Sequence, residues 1–375
     1  MLGIFDVYIP PIYGEGTGGA FKRLLDEIDK LAKCIQDLRL TDPRDDKKRI
    51  EGTKGGLLEV SYHWILENPD FKQWRHDQRS RLLWIKGDPG KGKTMLLCGI
   101  VNELKKSMAT THLLSYFFCQ AMDTQINNAT AVLRGLLYLL VDQQPSLISH
   151  IRKKHDHAGK ALFKDANAWV VLSEMFTNIL QDSSLHRAYL IIDALDECVT
   201  DLQRLLDFVA QNSCISSRVK WIVSSRNDTN IERRLRLNNS GTMLSLELKE
   251  NAEQVSRAVN TYIDHCLLGL AEIQHDTLLQ DSVREKMQQK ANGTFLWVSL
   301  VIKELKDVMA WEVLQVLNEI PMELKDVYYR MMKQVKQLQR QYPKLCQQIL
   351  STVIATYRPL YLQELHILSG MPTQV

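Results

Sequence analysis

The sequence lacks the features that mark several classes of protein. No apolar run approaches the ~20 residues of a membrane-spanning helix, and LLYLLV at 136–141 is among the longest runs. The N-terminal segment has no basic stretch and carries Asp6, so it does not have the form of a secretory signal. The 47 basic residues nearly balance the 44 acidic ones, so no global positive field indicates nucleic-acid binding. These absences predict a cytoplasmic protein that neither spans a membrane nor binds nucleic acid.

Cysteine and histidine are scattered along the chain. The seven cysteines form no CxxC pair and no spacing typical of metal ligands, which predicts reduced thiols that are partly buried. His155 and His157 lie close together, but no cysteine or acidic partner completes a zinc site, so we expect them in a surface loop. The basic run at 152–154 lacks interleaved aromatic residues and predicts a solvated helix end rather than a phosphate-binding patch.

Five short runs rich in β-branched and aromatic residues predict strands. They lie at 82–87, 112–119, 189–193, 219–225 and 243–248. Helical patterns separate them, at 94–106, 129–141, 168–181 and 201–212. Buried apolar strands that alternate with helices are typical of βαβ units. We therefore predict an α/β fold with a mainly parallel sheet.

The segments on either side of this pattern are mostly predicted to be helical. Before it, apolar residues recur at spacings of three and four over 20–38. The charged stretch 42–49 is predicted to be a solvated linker, and 57–66 a short helix. Helices are predicted at 251–266, 280–291, 294–306, 310–318, 323–338 and 342–356. Because the predicted strands stop, we place a domain boundary near residue 250.

The most informative motif is GDPGKGKT at 87–94. It fits G-x-x-x-x-G-K-[ST] and stands between a predicted strand and a predicted helix, a setting that a chance glycine-rich turn does not explain. Its glycines let backbone N–H groups close around phosphates, and the helix N-terminus adds positive charge. Lys93 would reach the β- and γ-phosphates, and the Thr94 hydroxyl would bind Mg²⁺. The predicted nucleotide-binding residues are Gly87, Asp88, Pro89, Gly90, Lys91, Gly92, Lys93, Thr94 and Met95.

A second motif, YLIIDALDE at 189–197, places acidic residues directly after an apolar strand. Asp193 ends that strand and is predicted to hold the metal, directly or through water. Glu197 is our candidate for polarising the attacking water, with Asp196 assisting around the metal. The alternative interpretation is a solvated acidic turn.

A third motif, VKWIVSSRN at 219–227, ends another apolar strand with Ser224, Ser225 and Arg226. A cation at the carboxyl end of a strand beside the nucleotide-binding strand can contact the γ-phosphate. Arg226 is therefore our third candidate catalytic residue. The alternative is an arginine in a surface loop.

With these three motifs in order, the chain resembles the NACHT-type nucleotide-binding domains of the STAND class of signalling NTPases, and their fungal branch above all. The supporting segments are GDPGKGKT, YFFC at 116–119, LIIDALDE at 190–197, WIVSSR at 221–226, ANGTFLWVSLVI at 291–302 and EIPMELKDVYYRMM at 319–332. RPLYLQEL at 358–365 resembles the opening of the family's winged-helix domain. The segments 3–16 and 20–28 resemble the end of a heterokaryon-incompatibility (HET) effector domain.

This resemblance implies a P-loop NTPase fold and an order of domains along the chain. The order is a HET-domain tail with an amphipathic helix (1–40), a charged linker with a helix before the NACHT domain (41–80), the NACHT domain (81–250), a helical domain (251–345) and a truncated winged-helix start (346–375). By family position, residues 50–56 contribute to the base site. The family's Gly-x-Pro motif reads Gly293-Thr294-Phe295 here, so its adenine-contacting proline is not carried over. His366 lies too early to be the family's sensing histidine.

The resemblance also implies a switch rather than a metabolic enzyme. In the family, ADP holds the helical and winged-helix domains closed, ATP opens them for self-association, and slow hydrolysis resets the closed state. The output in fungi is non-self recognition and programmed cell death. The sequence lacks N-K-x-D, which favours ATP or ADP without excluding GTP, and Mg²⁺ is the expected metal. An AAA+-like ATPase or P-loop kinase, and a truncated module that does not hydrolyse nucleotide, remain alternatives.

Overall fold

A five-stranded sheet forms the centre of the molecule. The computed structural model describes residues 12–237, 243–340, 342–356, 360 and 362–371. The strands are β1 (Leu82–Lys86), β2 (Leu113–Phe118), β3 (Ala188–Asp193), β4 (Val219–Ser225) and β5 (Met243–Glu247). They lie in the order β2-β3-β4-β1-β5, and every pairing among them is parallel. The predicted fold, a parallel P-loop NTPase sheet flanked by helices, is therefore confirmed.

Five helices of the described chain precede the sheet. They are α1 (Gly16–Leu38), α2 (Pro43–Thr53), α3 (Glu59–Tyr62), α4 (Trp64–Glu67) and α5 (Pro69–His76). The amphipathic helix predicted at 20–38 is α1. The carbonyl groups of Asp37 and Leu38, at its end, each accept a 2.9 Å hydrogen bond from the buried guanidinium of Arg134. This contact fastens the last turn of α1 to the helical layer beside the sheet.

The segment 42–49 is helical, and the predicted solvated linker is wrong there. Asp42 caps the first turn of α2, and Pro43 occupies a position where its missing N–H costs no hydrogen bond. Lys47 is buried, and its ammonium group pairs with Glu51 one turn further on at 2.6 Å. The charges therefore pair along the helix, and the Asp-Pro signal of a helix start outweighs their number.

The helices between the strands cover both faces of the sheet. They are α6 (Lys93–Ser107), α7 (Ala129–Gln143), α8 (Ser149–Ala158), α9 (Ala168–Gln181), α10 (Leu202–Asn212) and α11 (Thr229–Arg236). Successive side chains of a strand point to opposite faces. Accordingly, Trp84 and Trp221 share a core with α7, α9 and α10. Leu83 and Ile85 share the other core, with α6.

His155 is buried within α8, which corrects the predicted surface loop. Its Nε2 lies 3.0 Å from the Asp37 carboxylate, and its ring stacks on Phe163 with 5.8 Å between centroids. His157, two positions later, is exposed. The acidic partner of His155 comes from the end of α1 and not from the adjacent Asp156, which explains why the local pattern misled.

Helices continue after the sheet. They are α12 (Ala252–Leu267), α13 (Thr277–Ala291), α14 (Phe295–Leu305), α15 (Val313–Glu319), α16 (Leu324–Gln337), α17 (Tyr342–Ala355) and α18 (Leu362–Leu368). Val255 and Val259 of α12 belong to the same core as Leu246 and Leu248 at the end of β5. The first of these helices are thus continuous with the packing of the sheet.

Some sequence predictions fall on residues outside the described part. The predicted HET-domain tail includes 1–11, and the predicted winged-helix start includes 357–359, 361 and 372–375, which lie outside the described residues. Within the described part, Cys34, Cys98, Cys119 and Cys198 are buried, and the seven cysteines are free thiols. No helix in that part is long and apolar enough to cross a membrane.

Candidate functional site

The phosphate loop, residues 87–92, joins β1 to α6 at the edge where the parallel strands end. Two of its glycines have φ angles that residues with a side chain rarely adopt, +77° at Gly90 and +83° at Gly92. A Cβ atom added at Gly90 would lie 2.7 Å from Leu296, and one at Gly92 would lie 2.8 Å from the Phe295 ring. These glycines therefore serve the close approach of α14 as well as the conformation of the loop.

Lys91 links the phosphate loop to the helices that follow the sheet. Its ammonium group donates to the Asn292 carbonyl at 2.7 Å and to the Thr294 hydroxyl at 3.1 Å. These two acceptors lie between α13 and α14. Burial lowers the pKa of Lys91. In this conformation, Lys91 therefore acts as a link between the loop and the helices, although the motif groups it with the nucleotide-binding residues.

Lys93 begins α6 and folds back over the phosphate loop. Its ammonium group donates to the Gly87 carbonyl at 2.5 Å and to the Asp88 carbonyl at 3.1 Å. Burial lowers its pKa, while the charges of Asp196 and Asp193 oppose that shift. A phosphate oxygen would offer this half-buried cation a charged acceptor, which is stronger than a backbone carbonyl.

Asp193 lies at the end of β3 and is 1% exposed. Its carboxylate accepts a hydrogen bond from the Ser224 hydroxyl at 2.5 Å and another from the side chain of Thr94. The Ser224 hydroxyl also accepts from the Ala194 N–H at 2.9 Å. Burial raises the pKa of Asp193, and the two hydroxyl hydrogen bonds oppose this rise. Ser224 therefore fixes the orientation of the carboxylate within the sheet edge.

The oxygen donors of Thr94 and Asp193 fit Mg²⁺ chemically. Mg²⁺ prefers hard oxygen ligands, and it is usually held by one or two carboxylates together with waters and substrate phosphates. Among the described residues, no group of three or more His, Cys, Asp or Glu side chains could hold a metal ion. The pair thus suits a metal that arrives with nucleotide phosphates rather than a permanently bound ion.

Asp196 and Arg226 form an ion pair at the same edge. The Nε atom of Arg226 lies 3.0 Å from Asp196 Oδ2, and the backbone N–H of Arg226 donates to Asp196 Oδ1 at 2.9 Å. The Arg226 side chain is 58% exposed, so solvent can reach this pair from one side. Arg226 thus lies in the exposed loop after β4 and is paired there with the acidic motif.

Glu197 follows Asp196 and points a carboxylate oxygen at the loop after β2. Its Oε2 accepts a hydrogen bond from the Ala121 N–H at 3.1 Å. Burial raises the pKa of Glu197, and this backbone hydrogen bond opposes the rise. A partly buried carboxylate with a raised pKa is suited to accept a proton from a water molecule.

A cavity of about 460 Å³ brings most of the predicted site residues together. Those that line it are Pro89, Gly90, Lys91, Gly92, Lys93, Thr94, Met95, Asp193, Asp196, Glu197 and Arg226. Gly87 and Asp88 are not among its lining residues, and their carbonyls hold Lys93 instead. Within the predicted base segment 50–56, Thr53, Lys54 and Gly56 line the cavity.

Aromatic side chains form a wall that the sequence reasoning missed. Tyr62 of α3, Trp64 of α4, Tyr262 of α12 and Phe295 of α14 all line the cavity. Tyr262 and Phe295 pack together with 5.6 Å between ring centroids. No local motif joins these residues, which lie up to about 230 positions apart in the chain. An aromatic lining of this kind suits a nucleobase.

Sequence comparison relates the chain to known proteins. Residues 61–226 match the family model described as Nephrocystin 3, N-terminal. Over 378 residues the chain is 53% identical to the vegetative incompatibility protein HET-E-1 of Podospora anserina, and the match covers 100% of this chain and 28% of that protein. The chain thus spans less than a third of the relative's length. These matches confirm the resemblance to fungal NACHT-domain proteins and leave the HET-domain tail a prediction.

The matches to solved structures are of low similarity. The chain matches the ORC1 protein of Aeropyrum pernix in complex with DNA at a TM-score of 0.38 and 11% identity, covering 82% of this chain and 76% of that one. It matches Drosophila ORC bound to DNA at a TM-score of 0.35 and 12% identity, covering 97% of this chain and 80% of that one. It matches the RuvB branch-migration motor of Thermotoga maritima at a TM-score of 0.31 and 17% identity, covering 84% of this chain and 82% of that one. The DNA in two of these complexes concerns those proteins alone.

Proposed function

We propose that this relative of fungal NACHT-domain incompatibility proteins is a nucleotide-dependent signalling switch. It binds ATP or ADP with Mg²⁺ and hydrolyses ATP slowly. The observation that carries the proposal is the shared cavity wall. The phosphate loop supplies one side, and α12 and α14 supply another through Tyr262 and Phe295. A nucleotide in this cavity therefore touches both the sheet and the helices that follow it, so its phosphate state can bias their arrangement.

Each residue at the sheet edge has a role in this proposal. Lys93 leaves the loop carbonyls and binds the β- and γ-phosphates. Thr94 and Asp193 hold Mg²⁺, which neutralises phosphate charge when it is bound. Glu197 accepts a proton from the attacking water, and the charge of Arg226 stabilises the γ-phosphate. Gly90 to Met95 surround the phosphates through backbone N–H groups and the start of α6, and Pro89, which has no N–H, lines the cavity beside them.

The ion pair between Arg226 and Asp196 gives the switch a way to distinguish the two nucleotides. A γ-phosphate would compete with Asp196 for the Arg226 guanidinium, whereas ADP would leave the 3.0 Å pair intact. We propose that ADP favours the closed arrangement and that ATP releases it for self-association. The biological output, non-self recognition and programmed cell death in a fungus, is proposed from the relative, of which the chain spans 28%.

Release of bound nucleotide tests the proposal. Purified wild-type chain and Lys93→Ala are denatured, and any released nucleotide is identified by chromatography. ADP or ATP from the wild type, with none from Lys93→Ala, is the expected result. Lys105→Ala, on the exposed side of α6, is the control and keeps the wild-type nucleotide content. A wild type that is empty and binds neither added ATP nor added GTP would refute the proposed switch. Release of GTP or GDP from the wild type would change only the proposed base, from adenine to guanine, and would leave the rest of the proposal in place.

A further inference from the structure

The loop between β2 and α7, residues 119–128, lies against the turn that carries Glu197. Backbone hydrogen bonds join the loop to the residues that follow this turn. The Val199 and Thr200 N–H groups donate to the Asn127 carbonyl at 2.7 and 3.3 Å, and the Ala129 N–H donates to the Thr200 carbonyl at 3.1 Å. Asn128 and Thr200 form an isolated parallel bridge beside them. The two segments are thus held together by backbone hydrogen bonds over several residues, close to the proposed hydrolytic carboxylate.

Asn127 lies at the centre of this hydrogen-bonded contact and is 6% exposed. Its side-chain amide donates to the Ala121 carbonyl at 3.0 Å, across the base of the loop. Ala121 in turn donates its backbone N–H to Glu197 Oε2 at 3.1 Å. One buried residue therefore connects the two segments: its backbone carbonyl accepts from the residues after Glu197, and its side chain holds Ala121, whose amide donates to the Glu197 carboxylate.

This connection restricts Glu197 because the amide it depends on cannot move freely. Ala121 is fixed through its N–H by Glu197 and through its carbonyl by Asn127. Within the described part of the chain, the Ala121 amide is the hydrogen-bond donor recorded for the Glu197 carboxylate. A glutamate side chain has three rotatable bonds, so without this donor its carboxylate samples other rotamers.

We infer that Asn127 is a positioning residue for hydrolysis, which holds the Ala121 amide so that Glu197 keeps its carboxylate directed at the nucleotide cavity. The inference rests on the proposed function, in which Glu197 acts on the attacking water. Asn127 itself does not line the cavity. It acts through Ala121 and Glu197, and its effect falls on the chemical step and not on nucleotide binding.

Steady-state hydrolysis by Asn127→Ala in the full chain tests this inference. We expect kcat to fall about tenfold, because a displaced catalytic group loses much of its contribution. The affinity for a non-hydrolysable ATP analogue stays at the wild-type value, since Lys93, Thr94 and Asp193 are untouched. An unchanged kcat, or a parallel loss of affinity, would overturn the inference.

Asn128→Ala is the matched control. Asn128 lies in the same loop, donates to the Thr124 carbonyl at 3.2 Å and caps α7 by accepting from the Ala131 N–H at 2.9 Å. Its side chain forms no hydrogen bond with Ala121 or Glu197. General loosening of the loop would therefore lower kcat in both variants, whereas a positioning role lowers it in Asn127→Ala alone. Equal losses would count against the inference.

A double-variant comparison separates the pathway through Glu197 from other effects. In a Glu197→Gln background, Asn127→Ala has nothing left to position, so it lowers the residual rate no further. A second tenfold loss in that background would show that Asn127 acts elsewhere. If Asn127→Ala fails to fold, Ala121→Pro removes the donating N–H directly, and we expect the same kcat loss from it. Folding of each variant is checked by circular dichroism.

The outcomes also separate this inference from the proposed function. A wild type that binds nucleotide without hydrolysing it would overturn the proposed hydrolysis and the inference together. A wild type that hydrolyses ATP, with Asn127→Ala indistinguishable from it, would overturn the inference alone and leave the switch standing.

Discussion

The helices after the sheet fall into two groups that differ in how they pack. Four residues of α12 and five of α14 are buried in the same core as one face of the sheet. Only Val327 is buried in α16, and none of the described residues of α17 and α18 is. The first group, α12 to α15, is therefore an extension of the nucleotide-binding layer. The second group, α16 to α18, contributes little to that core.

The contacts at the nucleotide cavity follow the same division. Tyr262, Phe295, Leu296 and Lys303, which come from the first group, line the cavity. The second group instead exposes apolar side chains: Tyr328, Tyr329, Met331, Met332, Leu350, Val353, Ile354, Leu362, Ile367 and Leu368. In the proposed switch, a nucleotide would therefore contact the well-packed group directly, and the second group, whose described residues do not line the cavity, would respond through the first.

Two tryptophans provide the largest test of this division. Trp297 in α14 is fully buried and donates to the Pro321 carbonyl at 2.8 Å, whereas Trp311, before α15, is 78% exposed. We expect Trp297→Ala to lower the free energy of unfolding by about 3–5 kcal/mol, because it leaves a large cavity in the core. Trp311→Ala is the matched control, with a change within about 0.5 kcal/mol. Urea denaturation measures the unfolding free energy of both variants. Equal losses would contradict the difference in packing between the two positions.

The link between the phosphate loop and the first group gives an intermediate effect. Lys91→Met removes the ammonium donor to the Asn292 carbonyl and the Thr294 hydroxyl, and the 3.2 Å hydrogen bond from that hydroxyl to the same carbonyl remains. We expect a loss of about 1.5–3 kcal/mol in unfolding free energy, the range for hydrogen bonds to a charged group. We also expect faster exchange of bound nucleotide, measured by displacement of a fluorescent ADP analogue.

Lys303→Met is the control for Lys91→Met. Lys303 lines the same cavity and is exposed, so its loss leaves no buried acceptor unpaired. We expect its unfolding free energy and its exchange rate to match the wild type. If both variants accelerate exchange equally, positive charge at the cavity, and not the link to α14, would control nucleotide release.

The smallest effect is expected in the second group. Ile354 in α17 is 83% exposed, so Ile354→Ser removes little buried apolar area. Its unfolding free energy is expected to change by less than about 0.5 kcal/mol. A loss above about 1 kcal/mol in urea denaturation would mean that α17 is covered in solution, and the two groups would then differ less than their packing indicates.

Much of the fold follows from patterns that are local in sequence. Each strand is a short apolar run, and the phosphate loop is a continuous motif between a strand and a helix, so a single window contains the information. The acidic residues Asp193 to Glu197 are also local to their strand end. The parallel pairing then brings these motifs to one edge of the sheet, as predicted.

The parts that escaped prediction depend on long-range contacts. Tyr62 and Tyr262 meet at one cavity although they lie about 200 positions apart, and neither stands in a motif. His155 is buried because Asp37, 118 positions earlier, supplies its partner. The start of α2 is a different case, since Asp42 and Pro43 are a local capping signal that the high charge of the segment obscured.

The fastening of α1 has a mechanical consequence. At 1.5 Å per residue, its 23 residues span about 35 Å. Arg134, Asp37 and His155 hold its last turn, whereas residues 16–23 bury no side chain. Displacement grows with distance from a pivot, so a small tilt of the last turn becomes a much larger movement at Gly16. The helix is in effect a stiff lever whose pivot lies against α7 and α8, on the face of the sheet opposite α6.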